Sequence, residues 1–253
     1  MADPLHQFQI QKVVELPTVD VAGVPVDLSI TNSVLAMLIG VFCVILFFGL
    51  TTARASIIPG RFQVMAEGVF GLIDDLTESI IGHDGRAFFP FVFTLFLFIL
   101  SCNLVGMTTY FTATSQLAVT AMLALLTIGT VIVVGVLRNG IGFFKLFCPS
   151  GVPILILPIL IPIEIISFLM RPITLTLRLF GNMVGGHIVM KVFAGFIVAL
   201  ASAGIAGYLG GFVSLTAVVA LTALEFLVAY LQAFVFAVLA CVYLNDVVNL
   251  HHH

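Results

Sequence analysis

A permanently charged arginine, Arg178, lies inside a long apolar stretch of this sequence. A guanidinium group cannot lose its proton at any workable pH. Holding that charge at the depth of a bilayer costs at least about 3 kcal/mol. Such a residue must therefore face protein or water, and a fitting partner for it is a carboxylate that comes and goes.

Other polar residues lie around Arg178 at helical spacing. Glu164, Arg171 and Arg178 are seven residues apart, so they drift only slightly around a helix and share one face. Asn182, four residues beyond Arg178, joins that face. His187 is nine residues beyond Arg178, which places it on the opposite face and about 13 Å further along.

The last apolar run of the chain carries a second polar stripe. Glu225 and Gln232 are seven residues apart, and Tyr243 lies eleven residues beyond Gln232. On one helix these three side chains share a face. The stripe predicts a partner surface for the polar groups around Arg178.

Polar groups at two depths, on either side of an arginine, predict two half-paths for protons. A continuous pore would short-circuit a gradient, whereas two half-paths separated by a positive charge would not. His187 and Glu225 suit proton relay, because buried or paired imidazole and carboxyl groups can exchange protons near neutral pH. The alternatives are an inert buried acid at Glu225 and a purely structural role for Arg178.

Structural explanations also apply to three other residues. Arg171 precedes Pro172, and its side chain could have a structural role. It would then either donate hydrogen bonds to free carbonyl groups or form an ion pair with Glu164. For Asn182 the alternative is a hydrogen bond between helices. For Lys191 it is a side chain that extends to the membrane surface.

The composition indicates an integral membrane protein built from helices. Of the 253 residues 61% are hydrophobic and only 8% are charged, against about 25% charged in a soluble domain. The nine basic residues are scattered, so we expect no nucleic acid partner. No phosphate-binding loop and no metal-spaced cysteine pair occurs, so we expect no cofactor, nucleotide or metal ion.

Hydropathy and charge divide the first half of the chain into four elements. Residues 1–28 form an N-terminal surface segment, which we expect to hold a short helix and an extended lead-in. Residues 31–51 are uncharged and long enough for the first span. Residues 59–82 have the apolar periodicity of an amphipathic surface helix. Residues 90–137 predict a helical hairpin, with spans at 90–109 and 116–137.

The second half of the chain holds two apolar runs that are too long to cross a membrane upright. Residues 153–200 would make a helix about 70 Å long, and a hydrocarbon core is about 30 Å thick. Residues 212–249 pose the same problem. Each run is either two short spans or one steeply tilted helix.

The basic residues outside the long runs predict the orientation of the chain. Lys12 falls on one side of the membrane, and five others fall together on the opposite side: Arg54, Arg61, Arg86, Arg138 and Lys145. By the positive-inside rule the larger group is cytoplasmic. The N-terminus is then outside and the C-terminus is cytoplasmic.

Two signatures resemble subunit a of the F-type ATP synthase, the membrane stator of its proton-driven motor. They are Arg171-Pro-Ile-Thr-Leu-Thr-Leu-Arg-Leu-Phe-Gly-Asn-Met-Val-Gly-Gly-His187 and Leu231-Gln-Ala-Phe-Val-Phe-Ala-Val-Leu-Ala-Cys-Val-Tyr-Leu244. The resemblance implies an all-α integral membrane protein. Its elements are one N-terminal transmembrane helix, an amphipathic surface helix, a transmembrane helical hairpin, and two long tilted helices that wrap a ring of c subunits.

The resemblance also implies a function and partners. The chain would carry protons through two offset half-channels, coupling their flow to rotation and ATP synthesis, while catalysis belongs to other subunits. The implied partners are the c-subunit ring, b-type peripheral stalk subunits, the rest of the F1F0 complex and membrane lipid.

Residue roles follow from the resemblance as well. Arg178 matches the arginine that meets the ionised carboxylate of each passing c subunit, and Gln232 lies near it. His187 and Glu225 match the imidazole–acid pair of the outer half-channel, with Asn182 nearby.

The inner half-channel is implied to contain Glu164 and Ser167. Tyr243, on the stripe of Glu225, completes the predicted proton-translocation residues. The order of histidine first and acid second resembles the α-proteobacterial and mitochondrial branch. We therefore expect the inner membrane of a bacterium, with the mitochondrial inner membrane as the alternative.

Two other function classes remain as alternatives. One is a self-contained secondary transporter with an anion bound at Arg178. The other is a structural membrane subunit of a respiratory complex, through which no ion moves.

Overall fold

The helices of the chain occupy most of its length. The computed structural model describes residues 10–15, 17, 19–21, 24–27, 29–53, 55–108, 111–147, 156–200 and 204–249. Residues 1–9 and positions 54, 109 and 153 of the sequence predictions lie outside these ranges. The α-helices within them are α1 (Asn32–Ala53), α2 (Arg61–Ile81), α3 (Gly85–Thr108), α4 (Leu117–Asn139), α5 (Leu157–Leu200) and α6 (Gly204–Val248).

The N-terminal segment, for which we expected a short helix and an extended lead-in, is described only from residue 10 onward. Its described residues before Asn32 form short antiparallel strands and no helix. Six valines lie between positions 10 and 31 of the sequence, and β-branched residues favour extended backbone. β1 (Lys12–Val14) pairs with β4 (Ile30–Thr31), and β2 (Val19–Val21) pairs with β3 (Val24–Val26).

An exposed ion pair ties β1 to the residues before β4. Lys12 donates a hydrogen bond to the carboxylate of Asp27, and Ser29 donates to the same carboxylate. The hydrogen bond from Lys12 lowers the pKa of Asp27 below its usual range. These contacts hold the N-terminal segment together just before the first span.

Five helices of the described chain are long and apolar enough to cross a membrane: α1, α3, α4, α5 and α6. The remaining helix, α2, carries four acidic side chains and buries one face against α3. That pattern fits a helix lying on the membrane surface. The prediction of an all-α integral membrane protein is confirmed.

α6 is the central helix of the bundle. It buries a stripe of alanines at helical spacing: Ala229, Ala233, Ala237 and Ala240. Small residues let neighbouring helix backbones approach closely, which is how helices associate where water supplies no hydrophobic drive. Phe96 of α3 and Phe236 of α6 fill the space beside this stripe and are also fully buried.

The two ends of the bundle carry different contacts. At one end, named the Asp84 end, Arg138 of α4 pairs with Asp84. At the same end Asn139 donates a hydrogen bond to the carbonyl of Val247, 2.6 Å away. The opposite end, named the connector end, contains the α3–α4 connector (111–116), which includes a 3₁₀ turn at Ala113–Ser115. The two ends define a direction along α5 and α6, from the Asp84 end to the connector end.

α5 and α6 are continuous helices of 44 and 45 residues. At about 1.5 Å per residue each is about 66 Å long or slightly more, which is twice the thickness of a hydrocarbon core. We expected each run to form either two short spans or one long helix, and in the structure each forms one long helix. Neither helix can stay inside a membrane unless it is steeply inclined.

Candidate functional site

Arg178 lies on the outward face of α5 and is exposed, not buried inside the chain. α5 packs on the bundle through a stripe that includes Leu175, Leu179 and Met183. Arg178 falls outside that stripe. It forms no hydrogen bond or ion pair with any residue in the described ranges. This fixed cation therefore has no charge partner among the described residues.

Two glycines lie on the same face as Arg178. Gly181 and Gly185 follow it by three and seven residues, and a methyl group added to either would meet open space. No side chain therefore covers the helix backbone at these two positions beside the guanidinium group. Another helix can approach this face closely, as small residues permit in membranes.

Asn182 and Gln232 connect α5 to α6 one turn beyond Arg178. The Asn182 amide Nδ2 donates to Gln232 Oε1 at 2.8 Å. Gln232 is buried, whereas Asn182 is exposed on the face that carries Arg178. The hydrogen bond between helices, one of the alternatives for Asn182, is present.

His187 and Glu225 face each other across the same two helices. Both side chains are buried, and His187 Nδ1 lies 3.7 Å from Glu225 Oε1. That distance is too long for a direct hydrogen bond. Both Glu225 carboxyl oxygens lack a hydrogen-bond partner within the described part of the chain. Gly186 permits the approach, because a methyl group there would lie 2.5 Å from Glu225 Oε1.

The connector supplies a polar group that sequence reasoning missed. Thr112 Oγ1 lies 2.8 Å from His187 Nε2, on the side of the ring away from Glu225. The signal available in the sequence was an uncharged but hydroxyl-rich turn between two spans. Only the tertiary fold shows that this turn reaches α5.

Asn103 holds the connector against α6. It accepts a hydrogen bond from Thr114 Oγ1 at 2.7 Å, and its amide donates to the carbonyl of Ala229 at 3.1 Å. Asn103 is fully buried. It therefore links α3, the connector and α6 around the His187 pair.

Replacing Asn103 with leucine is expected to destabilise this junction by about 1–2 kcal/mol, because two buried hydrogen bonds are lost. The measurement is the temperature at which the assembled complex loses ATP-driven proton pumping, which should fall by several degrees. Thr127→Val is the control, since its hydroxyl bonds only to Leu123 within α4. Equal inactivation temperatures for Asn103→Leu and the unmodified complex would show that the junction is not held by Asn103.

A second polar cluster lies towards the Asp84 end. Arg171 forms an ion pair with Asp246 of α6 at 2.9 Å, and its guanidinium stacks 4.8 Å from the centre of the Tyr243 ring. The alternative that Arg171 pairs with Glu164 is therefore wrong. Tyr243 and Glu225 are both on α6, but they belong to different clusters, because Tyr243 contacts Arg171 and Glu225 lies beside His187.

Glu164 and Ser167 lie further along α5 towards the Asp84 end. Glu164 is half-buried and Ser167 is exposed. Neither forms a hydrogen bond with another residue of the described ranges. By helical rise Glu164 is about 21 Å before Arg178, and His187 is about 13 Å beyond it. The structure thus places polar groups on both sides of Arg178 along α5.

The described residues hold no group of three or more histidine, cysteine, aspartate or glutamate side chains that would suit a metal ion. The chemistry that this arrangement can perform is proton exchange. An imidazole and a carboxyl group lie together on one side of Arg178, and a carboxyl and a hydroxyl group lie on the other.

Comparison with known proteins identifies the family. The family model described as ATP synthase A chain matches residues 34–245. The chain is 52% identical to ATP synthase subunit a of Hyphomonas neptunium over 252 residues, which cover 99% of this chain and 98% of that protein. It is 49% identical to ATP synthase subunit a of Rhodopseudomonas palustris over 253 residues, the full length of both. As the two sequence signatures predicted, the chain belongs to the ATP synthase A chain family.

Proposed function

We propose that this chain is the non-catalytic, proton-conducting stator subunit of an F-type ATP synthase. It offers two offset half-channels to a ring of c subunits, and Arg178 separates them. The observation that carries the proposal is the exposed guanidinium of Arg178, which has no hydrogen bond or ion pair within the described ranges. It lies on a face of α5 between two groups of proton-exchanging side chains.

The position of Arg178 requires a charge partner, and the residues that the structure describes supply none. An uncompensated arginine at bilayer depth costs at least about 3 kcal/mol. A carboxylate carried on a neighbouring helix removes that cost by charge pairing. The bare backbone at Gly181 and Gly185 leaves room for such a helix. A c subunit that presents one carboxylate at a time fits this requirement.

The outer half-channel contains His187 and Glu225, with Asn182 and Gln232 between this pair and Arg178. A proton that reaches Glu225 passes to a c-subunit carboxylate and neutralises it. The neutral site can then turn into lipid, where an ionised carboxylate would be far too costly.

The inner half-channel runs past Glu164 and Ser167, with Arg171, Asp246 and Tyr243 alongside. After nearly a full turn of the ring the protonated site arrives here and loses its proton. Arg178 then favours the ionised carboxylate and prevents direct passage of protons between the half-channels. Each charge that crosses 100 mV releases about 2.3 kcal/mol, so several protons are needed for each ATP.

The proposed surroundings follow from the same arrangement. The inclined α5 and α6 present a long surface to the c ring, and b-type stalk subunits and the rest of the F1F0 complex complete the machine. We place the chain in a bacterial inner membrane. The Asp84 end, with Arg86 and Arg138, is cytoplasmic, and Lys12 is outside.

The test uses inverted inner-membrane vesicles with and without this chain in the complex. Without it we expect no ATP-driven acidification of the vesicle interior, while the detached water-soluble part hydrolyses ATP at its usual rate. Restoring the chain restores acidification. Acidification that persists without the chain contradicts the proton-conducting role, and loss of hydrolysis by the detached part contradicts the non-catalytic role.

A further inference from the structure

Thr112 is placed by its surroundings to act on His187. Its side chain is 3% exposed, and its Oγ1 lies 2.8 Å from His187 Nε2. Gly106 makes this possible, because a methyl group at that position would lie 2.3 Å from Thr112 Cγ2. Ser115 Oγ donates to the Thr112 carbonyl at 2.6 Å and fixes the local backbone. Thr112 is therefore held in one position against the imidazole ring.

The two polar contacts of Thr112 favour one protonation state of the ring. Thr112 Oγ1 lies 3.2 Å from the carbonyl oxygen of Gly106, which can only accept a hydrogen bond. A hydroxyl group has one hydrogen, so both contacts are hydrogen bonds only when Thr112 donates to that carbonyl and accepts from His187 Nε2. In this arrangement Nε2 carries a hydrogen. In a neutral imidazole the other nitrogen, Nδ1, is left with its lone pair towards Glu225 Oε1.

We propose that Thr112 is a positioning residue of the outer half-channel, which fixes His187 as the Nε2–H tautomer with Nδ1 directed at Glu225. The inference rests on the proposed function. The exchange step requires the two side chains to approach from 3.7 Å to hydrogen-bond distance. The O–H bond of protonated Glu225 then breaks and an N–H bond forms at His187 Nδ1. The products are a carboxylate and an imidazolium whose Nε2–H remains bonded to Thr112. The reverse step returns the proton to Glu225.

The charged groups that face His187 are few. Glu225 approaches from α6, and Lys191 lies one turn along α5 itself. From the connector, Thr112 brings a hydroxyl group to the ring. Removing the Thr112 hydroxyl therefore changes a hydrogen bond to His187 and no charge.

The experiment compares three variants in the assembled complex. Thr112→Val removes the hydroxyl and keeps the shape, Thr112→Ser keeps the hydroxyl, and Thr120→Val is the matched control. Thr120 is buried in α4, and within the described part of the chain its hydroxyl bonds only to the carbonyls of Gln116 and Leu117. The readouts are the rate of ATP-driven proton pumping per assembled complex and its dependence on pH.

We expect Thr112→Val to lower the pumping rate about tenfold. The limb of the pH profile that requires the imidazolium should move by about one unit towards lower pH, because the cation loses a charge-assisted hydrogen bond. Thr112→Ser should restore rate and profile, and Thr120→Val should leave both unchanged. The inference is overturned if Thr112→Val lowers the pumping rate without moving the pH profile. It is also overturned if Thr112→Ser fails to restore the rate and the profile.

Nitrogen NMR of the histidine-labelled, unmutated complex provides a second measurement that does not depend on assembly of Thr112→Val. The His187 signal is assigned by its loss in His187→Gln. Protonation at Nε2 supports the inference and protonation at Nδ1 overturns it.

The variant Glu225→Gln distinguishes failure of the inference about Thr112 from failure of the proposed function. If Glu225→Gln stops pumping while Thr112→Val changes nothing, only the inference fails, whereas normal pumping by Glu225→Gln means that the proposed function itself fails.

Discussion

Replacing Arg178 with alanine is expected to abolish ATP-driven proton pumping by vesicles that carry the assembled complex. The ring carboxylate that arrives at this face would lose its fixed partner, and an unpaired charge in a desolvated site costs about 3–5 kcal/mol. Such a cost slows each step by at least about a hundredfold. Acidification of the vesicle interior, followed with a pH-sensitive dye, measures the effect.

The control for Arg178→Ala is the same substitution at a surface arginine. Arg138 pairs with Asp84, and the two side chains are 39% and 50% exposed. Exposed pairs of this kind contribute about 0–1 kcal/mol, so Arg138→Ala should assemble and pump normally. Pumping by assembled Arg178→Ala complexes at half the normal rate or more would remove Arg178 from the mechanism.

Glu225→Gln is the second substitution with a large expected effect. The amide has nearly the same shape as the carboxyl group, so the packing around Gly186 and His187 should be kept. It cannot take up and release a proton, and loss of a positioned acid–base group costs about a hundredfold or more in rate. We expect pumping to fall by at least about that factor, with the amount of assembled complex unchanged.

Asp84→Asn is the matched acid-to-amide control for Glu225→Gln, because Asp84 is an exposed carboxylate at the opposite end of the bundle. Its pumping rate should equal that of the unmodified complex. Glu225→Asp shortens the side chain and lengthens the 3.7 Å gap to His187 Nδ1, so an intermediate rate is expected. Normal pumping by Glu225→Gln would mean that protons do not pass through Glu225.

Helical periodicity was the part of the sequence that predicted most about α5. The nine-residue separation placed Arg178 and His187 on opposite faces, and in the structure Arg178 is exposed while His187 is buried. Periodicity says which residues share a face, but it does not say what that face contacts. Spacing alone therefore did not show that the face of α5 with Arg178 points away from the rest of the bundle.

Contacts between distant segments could not be read from spacing. Thr112 reaches His187, and Arg171 reaches Asp246, each across 75 positions of the chain. Both contacts depend on how a turn or helix end packs in three dimensions. In the described part of the N-terminal segment, the intrinsic preference of valine for extended backbone agrees with the strands that form there.

The central claim is that Arg178 separates two half-channels. The most direct test is passive proton conduction through membrane vesicles from which the water-soluble part of the complex has been removed. The comparison is between Arg178→Ala and the double variant Arg178→Ala with Glu225→Gln. The account predicts that Arg178→Ala retains or increases the proton leak, because the barrier is gone and the outer path is intact. It predicts that adding Glu225→Gln removes that leak. An equal leak in both variants would contradict the account, because protons would then cross without using the path that Arg178 is proposed to block.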